Sequence, residues 1–480
     1  MDFISIKFLL FFIPVLILST FLKSSKTVRF YKYFIALVSI VFYAFFGLGH
    51  LLTLILSICI NYLGISLLYR FKKRKKTILI FFIILNILYL FTFKYSSFLI
   101  STYLGISKVE TLPFGILPTD IIIPIGISFY TFRVISHLVE SYRNKVTKPD
   151  FFSYFCYVSF FPQIISGPIE RPDRFYNSLS SPIQIENIKD KSFILIIIGI
   201  FKKLVLASFF YDFVQGPFAT PSNYSQYDLI ITAISYTCML YLDFSGYSDI
   251  SIGISRILGF DTPKNFDHPL SAMGFKDFWN RWHISLSTWL RDYVYIPLGG
   301  NKKGRLRKYL NTLITFLISG IWHGAGLQYS IWGGLNGILS VLTDVVKNIR
   351  TKVLSNIKIS DNSVAILRAL YKTLGTILTF ALVTFTFIFF NSKSLTDAIS
   401  YIKEMFTSTI SDNKYWDPRL LFAIWLTIRS NFIQDSTISK IYGIYKKTPT
   451  VIIIILLALL IYLVISLSPS TVPPFIYFKF

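Results

Sequence analysis

Acidic residues are scarce in this 480-residue chain: 24 Asp and Glu stand against 48 Lys and Arg, and charged residues of both signs make up only 15%. Water-soluble domains carry about a quarter of their residues as charges, so the deficit excludes a surface that faces water throughout. Cysteine is nearly absent. Cys59, Cys156 and Cys238 lie in apolar context without metal or disulfide spacing, which argues against a disulfide scaffold and a metal centre and leaves the three without an assigned function. No internal repeat, long linker or low-complexity tract divides the chain, so residues 1–480 read as a single membrane domain.

What is abundant is apolar. Hydrophobic residues account for 53% and aromatics for 18% of the chain, and the mean hydropathy is +0.58. Residues 33–69, apart from His50, and residues 77–93 and 451–468 carry no charge, against the ~20 apolar residues that span a bilayer. Residues 3–22 read as a first span and not as a cleaved leader, because no small-residue cleavage site follows and more spans do. Further spans are expected near 121–140, 192–212, 227–242, 310–321, 327–345, 368–390, 418–432 and 450–468, with the 33–69 run folding back at Gly47–His50. The formal charge of +24 is placed in short inter-helix segments such as RFKKRKK at 70–76 and Lys302 to Lys308. That placement matches the cytoplasmic excess of multi-pass proteins and argues against a nucleic-acid partner. The same rule puts the N-terminus outside, and Lys446 and Lys447 before the last span put the C-terminus outside too.

Polar residues of another kind gather in the middle third, where Pro124, Pro162, Pro168, Pro269, Pro297 and many glycines break the helical pattern. Broken helices at membrane depth need protein or water around them, as in a cavity lining. LDFSGYSDISIG at 242–253 sets Asp243 and Asp249 in span-like context. Such carboxylates either handle substrate or are buried and satisfied by hydroxyls such as Ser245, Tyr247 and Ser248. The segment 265–300 crowds Trp279, Trp282, Trp289, Arg281, Arg291 and His283 together. An interfacial anchor explains the tryptophans and leaves the histidine unexplained. In ITFLISGIWHGAGLQYSIWGGLNG, His323 follows Trp322 in an uncharged run beside Gly320, Gly324 and Gly326. An imidazole there is either a packing residue or a proton acceptor, and the glycines permit close approach.

FPQIISGPIERPDRF at 161–175, YLDFSGYSDISIG at 241–253, FWNRWHISLSTWLRDYVYIPLGGN at 278–301 and SGIWHGAG at 319–326 together resemble the membrane-bound O-acyltransferases, in the bacterial branch of alginate and peptidoglycan O-acetyltransferases. The resemblance implies an all-α, polytopic fold, a ring of about 11 or more helices around a central tunnel and funnel, with 241–326 as catalytic core. It places His323 at the family's catalytic histidine and His283 at a second functional polar position, and leaves Asp243, Asp249, Arg281 and Trp322 as candidates for substrate binding. The tail STVPPFIYFKF, residues 470–480, resembles an aromatic-tyrosine motif of this branch, so Tyr477 is either an acyl relay or an anchor.

The expected activity is O-acetylation of an extracytoplasmic polysaccharide or cell-wall polymer from a bacterial cytoplasmic membrane. The donor is a cytoplasmic thioester, acetyl-CoA or another, with no permanently bound cofactor and no metal. A secreted or membrane-anchored partner acyltransferase is expected to complete transfer, since the chain shows no serine-histidine-aspartate domain of its own. D-alanyl transfer to teichoic acid is the alternative within the family, and a polysaccharide exporter without chemistry the alternative outside it.

Overall fold

Backbone amides facing lipid must bond within their own segment, so long apolar runs fold as helices. A computed structural model describes residues 2–23, 27–107, 123–182, 185–354, 361–433, 435–449 and scattered positions between 451 and 466. It is all-helical, with no strand among the described residues. Tyr477 and the tail, and most of the expected last span, lie outside them.

The chain packs as two compact units, one of residues 1–198 with 247–264 and the other of 199–246 with 265–480. The helices in chain order are α1 (Ile6–Leu22), α2 (Val28–Ala44), α3 (Leu48–Arg70), α4 (Lys75–Ser107), α5 (Ile127–Tyr142), α6 (Phe151–Ser159), α7 (Pro172–Ser180), α8 (Ile185–Phe201) and α9 (Ser208–Ala219). There follow α10 (Gln226–Ile257), α11 (Phe275–Arg281), α12 (Ile284–Leu290), α13 (Gly304–His323), α14 (Leu327–Leu354), α15 (Asp361–Asn391), α16 (Leu395–Thr407), α17 (Pro418–Ser430) and α18 (Asp435–Lys447). Leu48–Arg70, Lys72–Ser96, Ser192–Ala219, Gln226–Ile257 and Ala369–Asn391 are long and apolar enough to cross a membrane, and Ile6–Leu22 is a shorter apolar helix. The expected spans at 310–321 and 327–345 are helical, within α13 and α14, and that at 418–432 is helical as far as Ser430 in α17, but all three fall outside that set.

In the first unit the 33–69 run turns between α2 and α3 at Gly47, whose φ of +122° suits only glycine. On α3, Leu51, Leu54, Ile58 and Ile65 are buried while Leu52, Leu56 and Leu63 are exposed, a helix apolar on every side, as contact with protein and lipid requires. Asn61 and Asn86 exchange amide hydrogen bonds across α3 and α4, at 3.1 and 2.7 Å, so that neither is left unsatisfied at this depth. The 161–175 motif is anchored by Arg133 of α5, which donates to the Tyr157 carbonyl at 2.9 Å and to Gln163. Lys23, buried at the end of α1, donates to the Leu258 and Gly259 carbonyls at 3.2 and 2.7 Å, caps the carbonyl end of α10 and lies 4.3 Å from the Phe260 ring centroid.

In the second unit α13 and α14 form a hairpin held by glycines. A Cβ at Gly320 would stand 2.3 Å from the Tyr329 carbonyl oxygen, and one at Gly333 2.4 Å from that of Phe316. Gly333 and Gly337 repeat at the four-residue spacing that lets helices touch backbone to backbone in lipid.

Candidate active site

His323 is the last residue of α13 and is 3% exposed. Its ring is enclosed by aromatic edges: Trp322 at 4.6 Å, Phe390 of α15 at 5.0 Å and Trp332 of α14 at 5.1 Å between centroids. Trp332, 1% exposed, has an indole N–H with no hydrogen-bond partner among the described residues. One turn along α14, Asn336 donates to the Trp332 carbonyl at 2.8 Å, while its amide oxygen is likewise unmatched. Buried polar atoms are costly when unpaired, and this unmatched donor and acceptor stand one turn apart on α14.

A cavity of about 520 Å³ opens in the same unit. Lys276, Arg291 and Lys308 give its lining a basic rim, and Trp279 and Ser319 also line it. Trp279 meets Trp332 at 5.6 Å, and Trp332 meets His323, so two ring contacts connect the cavity wall with the imidazole. Ser319 lies one helical turn before His323 on α13. Lys308 also pairs with Asp344.

His283 sits between α11 and α12 at φ +43° and ψ +54°, a left-handed conformation uncommon for a residue with a side chain. The structure holds it there from the backbone. The His283 carbonyl accepts from Leu286 and Ser287 N–H at 3.1 and 3.0 Å, Asn265 O accepts Ile284 N–H at 2.9 Å, and Asn265 Oδ1 accepts the Ser285 N–H and hydroxyl at 3.2 and 2.9 Å. The buried imidazole meets the Phe244 ring of α10 edge-on at 4.7 Å. Its neighbour Trp282 packs on Phe387 at 5.4 Å, one turn from the Phe390 that packs on His323, so α15 is a wall common to both histidine segments.

The remaining candidates separate. Trp322 is part of the His323 cage. Asp243 is buried and pairs with Lys203 at 2.6 Å, a partner the sequence reading did not name, while Ser245 Oγ has no partner among the described residues. Asp249, half-buried on the same helix, belongs to the first unit. Arg281 pairs with Asp277 within α11 at 2.8 Å, with about a third of each side chain exposed. The sequence reading passed over Lys203, Trp332, Asn336 and the Phe387 and Phe390 pair. Only Lys203 had a local signal, a lysine inside an apolar span, where a charge is costly.

Comparison with known proteins identifies the family. The model of the membrane-bound O-acyltransferase family matches residues 35–385. A peptidoglycan O-acetyltransferase of Helicobacter pylori is 33% identical over 433 residues, covering 83% of this chain and 78% of that protein. A probable alginate O-acetylase of Pseudomonas aeruginosa is 31% identical over 417 residues, 85% of this chain and 75% of its own. A teichoic acid D-alanyltransferase of Streptococcus thermophilus is 29% identical over 345 residues, 65% of this chain and 81% of its own. With its embedded histidines, apolar spans and a family match across most of its length, the chain belongs to the membrane-bound O-acyltransferase family and is a multi-pass membrane acyltransferase.

Proposed function

We propose that this protein carries an acetyl group from a cytoplasmic thioester, acetyl-CoA, to a hydroxyl destined for an extracytoplasmic polysaccharide, with His323 as base. The observation that carries the reading is the buried imidazole two aromatic contacts from a cavity with a basic rim. A diphosphate-bearing thioester suits Lys276, Arg291 and Lys308, and the basic segment Lys302–Lys308 beside them favours a cytoplasmic mouth. An acceptor hydroxyl approaches the aromatic cage from the other side. His323 takes its proton as the oxygen attacks the thioester carbonyl, the carbon–sulfur bond breaks, and the imidazolium returns the proton to the departing thiolate. Trp332 N–H and the Asn336 amide oxygen orient polar groups of the reactants.

Tyr477 is proposed as the first acceptor, a relay whose ester a secreted or membrane-anchored partner acyltransferase passes to the polymer. The distribution of lysine and arginine supports a reading with both termini outside a bacterial cytoplasmic membrane. The test is purified protein in lipid nanodiscs given acetyl-CoA, with thiol release measured. His323→Ala should remain folded and lose about 10²- to 10⁴-fold in rate. Undiminished release in that variant refutes the assignment. Because D-alanyltransferases align along the same chain, a carrier-bound D-alanyl thioester is the second donor to assay, and turnover of it with none of acetyl-CoA selects that reading.

A further inference from the structure

The buried ion pair of the second unit has no part in the mechanism above. Lys203 Nζ lies 2.6 Å from Asp243 Oδ1, with 2% and 9% of the two side chains exposed. The lysine comes from a six-residue π-helical stretch, Lys202–Ala207, set between α8 and α9. π-helical insertions concentrate at functional positions, and a buried ion pair seldom improves stability over an apolar pair of the same volume. Gly246 makes the contact possible. A Cβ there would lie 2.7 Å from the Gly199 carbonyl oxygen and 3.3 Å from Lys203 N, so α10 rests on the end of α8 and the start of the π segment nearly backbone to backbone, one turn from Asp243. The same turn of α10 reaches the second histidine: Phe244 meets the His283 ring at 4.7 Å, and Tyr241 meets Trp282 at 6.2 Å.

We propose that Lys203 and Asp243 form a positioning pair for acyl transfer, which fixes α10 about its own axis and through Phe244 sets the orientation of the His283 imidazole. Apolar contacts tolerate sliding and rotation. An ammonium and a carboxylate removed from water have one arrangement that satisfies both, so they select a single rotational register. The pair acts through Phe244 and touches no reacting atom. The inference rests on the assignment of His283, by resemblance to the family, as a second functional residue of the site that contains His323.

The experiment measures kcat and donor KM for acetyl-CoA in nanodiscs, per folded molecule, by thiol release with water taking the acyl group in place of the polymer. Lys203→Met and Asp243→Asn should each lower kcat by about tenfold or more with KM unchanged, and the exchange Lys203→Asp with Asp243→Lys should restore most of it. Phe244→Leu leaves the ion pair in place and should lower kcat alone, which keeps the inference testable if the charge variants do not fold. Normal kcat in Phe244→Leu or in the folded single variants overturns it, as does a changed KM with kcat retained. An exchanged pair as inactive as the singles also overturns it, because the charges themselves would then matter. Full activity in His283→Ala instead refutes the site reading on which the inference depends; an inactive His283→Ala beside normal ion-pair variants removes the inference alone.

Discussion

Gly333 and Gly334 are adjacent on α14, and replacing each by alanine should have opposite effects. A Cβ at Gly334 meets Leu317 Cδ2 at 3.7 Å, an ordinary contact, whereas at Gly333 it stands 2.4 Å from the Phe316 carbonyl oxygen and 3.2 Å from Gly320 N. Ordinary contact begins at 3.4 Å, so Gly333→Ala requires α13 and α14 to part by about 1 Å, since backbone atoms have no rotamer by which to withdraw. Alanine in a helix interior gains about 1 kcal/mol over glycine, which Gly334→Ala should keep. At Gly333 the overpacking costs about 1–3 kcal/mol against that gain. The functional effect is larger, because α13 ends in His323, and a misplacement of about 1 Å costs on the order of 10²-fold in rate. Thermal unfolding in detergent and thiol release from acetyl-CoA read the two quantities. Equal stability and equal turnover in the two variants would refute the close-packed hairpin as the support of His323.

Lys276→Ala and Arg291→Ala should raise the donor KM and leave kcat near normal, as expected for groups that bind ground state and transition state alike; a fall in kcat at unchanged KM contradicts the donor cavity. The donor KM should also rise with ionic strength in the parent protein and less so in the Lys276→Ala, Arg291→Ala double variant, since screening weakens attraction between phosphate and exposed cations. Tyr477→Phe keeps the aromatic character of the tail and removes one oxygen, so polymer acylation should cease in cells if the tyrosine carries the acyl group. Acylation at the parent level leaves direct transfer to partner or polymer.

Elements were legible where lipid dictates them. Apolar runs announced α1, α3 and α4, and Gly47 announced the turn between α2 and α3, because a chain in hydrocarbon has no way to satisfy its amides except as helix. The same rule misled at α10, expected to end near residue 242 and in fact continuing to Ile257. Asp243 and Ser245 are costly against lipid, but they face protein, where Lys203 neutralises the carboxylate. Lys203 lay inside the expected span 192–212, where a charge is costly, but nothing in the spacing of residues tied it to Asp243 forty positions on. His323 was visible as an imidazole in an uncharged run beside glycines. Its cage was not, since Trp332 and Phe390 come from two later helices and aromatic residues are too common in this chain to single out. The left-handed backbone of His283 is imposed by Asn265 and the turn after it, and has no mark in residue spacing.

The contact of Lys23 with Leu258 and Gly259 also sets an order of events during synthesis. The lysine is 235 residues ahead of the first carbonyl that it caps, and at about 5–20 residues per second a ribosome needs roughly ten to fifty seconds to make that stretch. Until residue 259 has emerged the ammonium at the end of α1 has no such carbonyls to cap, so it should stay in water, and only afterwards can the charge withdraw into the protein. A nascent chain stalled before that residue should therefore leave Lys23 open to amine-reactive reagents, and one stalled well beyond it should not.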